Sequence, residues 1–107
     1  MFIRYFVDAR SNNEAIGVVE ATIDELMECI SLKRLKSVIP YWKMENIYIV
    51  EMDIELKKDN SKDFLDYYSD RWIKFGSDNF LSSKSDPECT YMRKGFEMID
   101  IALMSDA

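Results

Sequence analysis

The sequence predicts an α+β fold: a mostly antiparallel sheet of about four strands with two or three helices packed on one face. Two observations lead there. Apolar and polar residues alternate with a period of two at residues 2–8, 47–56 and 96–104, the mark of half-buried strands. Between these stretches, capping residues precede apolar side chains spaced three and four apart, the mark of amphipathic helices. With 107 residues there is room for one domain, residues 1–107, built as two layers around one core.

Each element follows from its residues. Ile3, Tyr5 and Val7 alternate with Phe2, Arg4 and Phe6, which predicts the first strand. Ser11-Asn12-Asn13 is turn chemistry. Residues 15–21, with β-branched Ile16, Val18 and Val19, predict a second strand pairing with the first as a hairpin. Thr22-Ile23-Asp24-Glu25 has the capping-box pattern. Ile23, Leu26, Met27 and Ile30 then follow at helical spacing, with Lys33, Arg34 and Lys36 at the end where the helix dipole favours cations. Leu32, Leu35 and Ile39 form a second stripe on another side, so a bend near Ser31 is expected before Pro40 ends the helix. Residues 47–56 form the most regular strand. Asp59-Asn60-Ser61 reads as a turn and cap for a helix over residues 62–75, which buries Phe64, Leu65, Tyr68 and Trp72 and stops at Gly76. Residues 77–90 are polar, contain Pro87 and read as a loop. Residues 96–104 predict the last strand, with a helix as the alternative because of Ala102 and the methionines.

Composition narrows the chemistry. Twenty acidic residues against 14 basic ones give a net charge of −6, which disfavours nucleic acid or an anionic membrane as direct ligand. The chain has no histidine, so Ser-His-Asp and Cys-His catalysis are excluded within it, and the commonest neutral metal ligand is missing. Cys29 and Cys89 lie in no CxxC or zinc spacing and are expected to be reduced thiols of a cytoplasmic protein. Arg4 and Asp8 interrupt the apolar run at the start, so no secretory leader is expected, and no run approaches the ~20 apolar residues of a membrane span. No cofactor is expected.

The strand at residues 47–56 carries the most informative pattern. Glu51, Asp53 and Glu55 share one face, roughly 7 Å apart, opposite Val50, Met52 and Ile54. Such a row is tolerated by solvent or cross-strand cations, or is used by a metal or a basic partner. Asp63, Asp66 and Asp70 share a face of the following helix, with Asp59 before them and Lys74 placed to pair with Asp70. Lys33, Arg34 and Lys36, and Arg93 and Lys94, are the basic clusters. Tyr41, Trp42, Phe80 and Tyr91 are candidate core or anchor aromatics.

Two resemblances follow from these residues. Asp53-Ile54-Glu55-Leu56-Lys57 resembles the acid-x-acid-x-Lys core string of the PD-(D/E)xK nucleases. That likeness implies acids holding Mg²⁺ and a lysine assisting the attacking water, with Asp24 or Glu20 as the further acid. Across the whole chain, the small size, the acidity and the α/β element pattern are similar to the immunity proteins of bacterial toxin systems, including contact-dependent growth inhibition. That similarity implies a non-enzymatic protein that neutralises a basic partner, a toxin nuclease domain. Glu51, Asp53, Glu55, Asp63, Asp66 and Asp70 would then steer and dock, and Tyr67 or Trp72 would anchor the rim. Acidic nucleic-acid mimics share this profile. A structural subunit of a larger assembly would instead show an exposed apolar patch and a non-monomeric mass.

Overall fold

A computed structural model describes residues 1–57 and 60–103. Asp59 and the last position of the predicted final strand, Met104, lie outside them. In chain order the elements are β1 (Phe2–Asp8), α1 (Asn12–Glu25), a 3-10 turn (Met27–Cys29), β2 (Ile30–Pro40), β3 (Ile47–Leu56), α2 (Ser61–Tyr68), β4 (Ile73–Phe75), β5 (Asn79–Ser83) and β6 (Phe96–Ala102). They form one antiparallel six-stranded sheet in the order β2-β3-β1-β6-β5-β4. The expectation of about four strands is therefore corrected to six strands, with two α-helices, among the described residues.

The pairings make β1 parallel to β2, and β3 parallel to β4, so each helix is a crossover between parallel strands. Within β2-β3-β1-β6 this is the split β-α-β arrangement. Both helices pack on the same face of the sheet. The core between the layers holds Ile3, Tyr5 and Val7 of β1, Val50, Met52 and Ile54 of β3, and Ile99 and Ile101 of β6. Ala15, Val19 and Ile23 of α1 and Phe64 and Tyr68 of α2 close it from the helical side.

Several local expectations are overturned, each for a physical reason. Residues 15–21 are helix, not strand. Ser11, extended at φ −155°, caps α1 by accepting from the Glu14 amide at 3.1 Å, and the Glu14 carboxylate accepts from the Arg10 amide at 3.2 Å. Ala15, Val19, Thr22, Ile23 and Leu26 then recur at helical spacing and all are buried. Thr22 is consequently not a cap but lies on the buried face of α1, its hydroxyl donating to the Val19 carbonyl at 2.7 Å.

The helix expected before Pro40 is the long edge strand β2. Its second apolar stripe, Leu32, Leu35 and Ile39, remains exposed, and the residues pair with β3 through two register shifts. The helix expected over residues 62–75 ends at Tyr68, because Ser69 turns extended (φ −160°). Its hydroxyl is buried against that of Ser82 at 2.5 Å. Residues 73–75 and 79–83, read as helix end and loop, form the β4–β5 hairpin, where Gly76 adopts φ +59°.

Gly17 lies mid-helix on the exposed side of α1, and a methyl group placed there meets no atom within 4 Å. Gly17→Ala should therefore raise stability by about 0.5–1 kcal/mol, seen as a higher urea midpoint at unchanged slope. A lower midpoint would mean that this face of α1 is not open.

Candidate protein-binding surfaces

The sheet buries one face under the helices; the other carries no helix among the described residues, and Tyr41 of the β2–β3 connection covers Phe6 at one end of it. Cross-strand register places Ile73, Leu81, Asp100, Arg4, Glu51 and Ser37 in one row across the whole uncovered face. A second row runs Phe75, Asn79, Ala102, Phe2, Asp53 and Arg34. The strand acids read from the sequence thus do share a face, and it is the face away from the core.

Most of their charge is spent inside the sheet. Glu51 accepts from Arg4 Nε at 3.0 Å and from the Ser37 hydroxyl at 2.6 Å. Asp53 pairs with Arg34 at 3.0 Å and Lys36 at 3.6 Å. These cations come from the flanking strands β1 and β2, which is the cross-strand neutralisation that like charges on a strand require. Glu55 is exposed and makes no ion pair among the described residues.

The acids near α2 divide as well. Asp63 and Asp66 are exposed, and Asp66 pairs with Lys62 one turn earlier at 2.7 Å. Asp70 lies beyond the helix and pins a loop: its carboxylate accepts from the Thr90 amide at 3.1 Å, the Tyr91 amide at 3.0 Å and the Thr90 hydroxyl. The Thr90 hydroxyl, followed by these amides, holds the Asp70 carboxyl below its ordinary range. Lys74, expected to pair with it, sits on β4 instead.

The two expected anchors are internal braces. The Tyr67 hydroxyl donates to Glu25 at 2.6 Å, and the Arg93 guanidinium stacks 3.7 Å above its ring. Arg93 also donates to the Tyr67 carbonyl at 3.0 Å. Trp72 gives its indole N–H to the carbonyls of Leu65 and Ser69 at 3.1 and 3.2 Å, closing the open end of α2. Tyr41 packs edge-on over Phe6 with centroids 5.1 Å apart, while Trp42 beside it is 83% exposed.

The nuclease-like string is not assembled into a metal site. Asp53 and Glu55 face away from the helices, whereas Glu20 and Asp24 belong to α1 on the opposite side of the sheet. Among the described residues no group of three acids or cysteines is placed to hold a metal ion. Both cysteines are unpaired.

The anionic surface that sequence reasoning missed is the outer side of α1. From Ser11 to Leu32 the chain carries Glu14, Glu20, Asp24, Glu25 and Glu28 and no base. Glu20, Asp24 and Glu28 are exposed, and of these only Asp24 meets a cation, Lys33 at 3.9 Å. Asp24 and Glu25 stand in the last turn of α1, where the helix dipole opposes negative charge. Reading residues 15–21 as strand hid this surface, because it dispersed these acids over two elements. No helix among the described residues is long and apolar enough to cross a membrane. Comparisons with protein-family models, curated proteins and solved structures found no match to this chain.

Proposed function

We propose that this chain is a non-enzymatic binding protein that neutralises a basic protein partner, as an immunity protein of the bacterial cytoplasm does with a nuclease toxin. The observation that carries the reading is the base-free acidic run on the outer side of α1, with Asp63 and Asp66 of α2 adding to the same helical layer. Asp24 and Glu25 occupy a helix end whose dipole opposes negative charge, and within the fold Lys33 at 3.9 Å and the Tyr67 hydroxyl at 2.6 Å meet them. A cationic partner would add to that compensation. The acids act first at a distance: uncompensated negative charge raises the encounter rate with a basic cleft, and salt weakens it within a Debye length of ~10 Å at 0.1 M.

The test uses Glu20→Gln, Asp24→Asn and Glu28→Gln together, all exposed positions. The measurement is the association rate with a catalytically inactive, cationic nuclease toxin domain encoded beside this gene, at low and physiological salt. The expected result is about a tenfold slower capture at low salt, a flatter salt dependence and an undiminished melting temperature. An unchanged association rate in a folded triple variant would reject this surface.

A further inference from the structure

We propose that the uncovered sheet face is the interface of a homodimer, two copies stacking face to face with Asp100 of each against Arg4 of the other.

The first support is an unmatched pair of charges. Asp100 on β6 is half-buried, and its carboxylate has neither hydrogen bond nor ion pair among the described residues. Burial raises its carboxyl affinity for a proton, and the neighbouring Arg4 only partly opposes this. Arg4, its cross-strand neighbour, gives Nε to Glu51 and lies 5.8 Å from the centre of the Phe2 ring, and its other guanidinium nitrogens make no hydrogen bond among the described residues. A side chain with spare donors thus lies beside one with spare acceptors, and a bidentate arginine–carboxylate pair needs both.

The second support is symmetry. In the order β2-β3-β1-β6-β5-β4, β1 and β6 are the central pair. A twofold axis running along the strands between them lays β1 on β6, β3 on β5 and β2 on β4 of the second copy, with the longer β3 and β2 overhanging the shorter β5 and β4. Along the charged row this sets Arg4 over Asp100 twice, once in each direction, which is what an isologous interface requires. Along the next row it sets Phe2 over Ala102, large against small, and Asn79 over Asp53, a donor over a carboxylate. Phe75, 48% exposed, then meets Arg34, an aromatic face beneath a guanidinium.

The overlap sets the size. Each strand pair overlaps by the length of its shorter member, seven residues for β1 on β6, five for β3 on β5 and three for β2 on β4. At ~4.8 Å by ~3.3 Å per residue this is on the order of 480 Å² per copy, the small end of specific interfaces, which suits a weak dimer. Stacked sheets of this kind lie ~10 Å apart, within reach of an arginine–aspartate pair. The helical layer, on the far side, stays free for the partner proposed above, and the dimer does not depend on that proposal.

The test is the mass of the full chain in solution by sedimentation from 1 to 200 µM, a range that brackets weak and tight dimers. The expected result is a dimer. Asp100→Arg alone sets arginine against arginine, Arg4→Asp alone sets aspartate against aspartate, and each variant should sediment as a monomer. Mixed one to one they should form a heterodimer, since each then meets its opposite charge. Asp100→Asn, which keeps the shape of the side chain, should weaken the dimer about tenfold and covers the case in which a charge reversal fails to fold. A monomeric native chain at 200 µM overturns the proposal, as does an Asp100→Arg protein that remains dimeric.

Discussion

Tyr68→Ala is expected to bring this domain to the edge of unfolding. Tyr68 is fully buried at the end of α2, in contact with the rings of Tyr5, Phe64, Tyr67 and Phe96 at centroid distances of 5.4, 5.1, 5.0 and 5.5 Å. Truncating an aromatic side chain in such a place costs about 3–5 kcal/mol, through lost burial and the cavity left behind. Small domains have about 5–15 kcal/mol in total. The phenol is also a hub. Its oxygen lies 3.0 Å from the Tyr5 hydroxyl and 2.9 Å from that of Thr22. Through it β1, α1 and α2 are joined inside the core. Tyr68→Phe keeps the ring and should cost about 1–3 kcal/mol, because the buried Tyr5 hydroxyl loses its partner. Adding Tyr5→Phe removes that stranded group, so the double variant should lose less than the sum of the two single ones. Urea denaturation of the four proteins checks this. Additive losses would sink the idea of a coupled pair, and a Tyr68→Ala protein within 1 kcal/mol of the parent would contradict the packing described.

The same buried phenols predict alkaline instability. Burial, first of all, pushes the Tyr68 phenol up to about 12 and holds that of Tyr5 well above its ordinary value. In the unfolded chain both ionise near pH 10. Between pH 10 and 12 the folded protein therefore binds more protons than the unfolded one, and stability falls as pH rises. The contribution of Tyr68 is complete below pH 10 and is lost across the two units above it, at about 1.4 kcal/mol per pH unit, and Tyr5 acts in the same direction. The urea midpoint should hold level from pH 8 to about pH 9.5 and then drop steeply. Tyr68→Phe, which removes one of the two groups, should drop with a shallower slope over the same range. A midpoint that rises between pH 10 and 12 would reverse the assigned sign.

Where a signal was local, the residues alone carried it. β1, β3 and β6 follow from period-two alternation, because every second side chain of a strand meets the same environment. The acidity, the missing histidine and the outward direction of Glu51, Asp53 and Glu55 are likewise properties of composition and spacing. The exchange of helix and strand between residues 15 and 40 had no local solution. A short β-branched run such as Ile16-Gly17-Val18-Val19 fits either element until a layer is available to cover it, and α1 wins because its stripe meets β1 and β3. Leu32, Leu35 and Ile39 carry a helical pattern, yet no partner buries them as a helix, while β3 offers a free edge.

Charge pairing divided in the same way. Composition and spacing alone make this protein acidic, deny it histidine chemistry and set three carboxylates along one strand. Which acids remain unspent depends on the packing of distant strands. Arg4 reaches Glu51 across 47 positions, and Arg34 reaches Asp53 across 19. The reason is range: a side chain's facing follows from its own backbone, whereas its neutralisation depends on which distant strand the fold lays beside it.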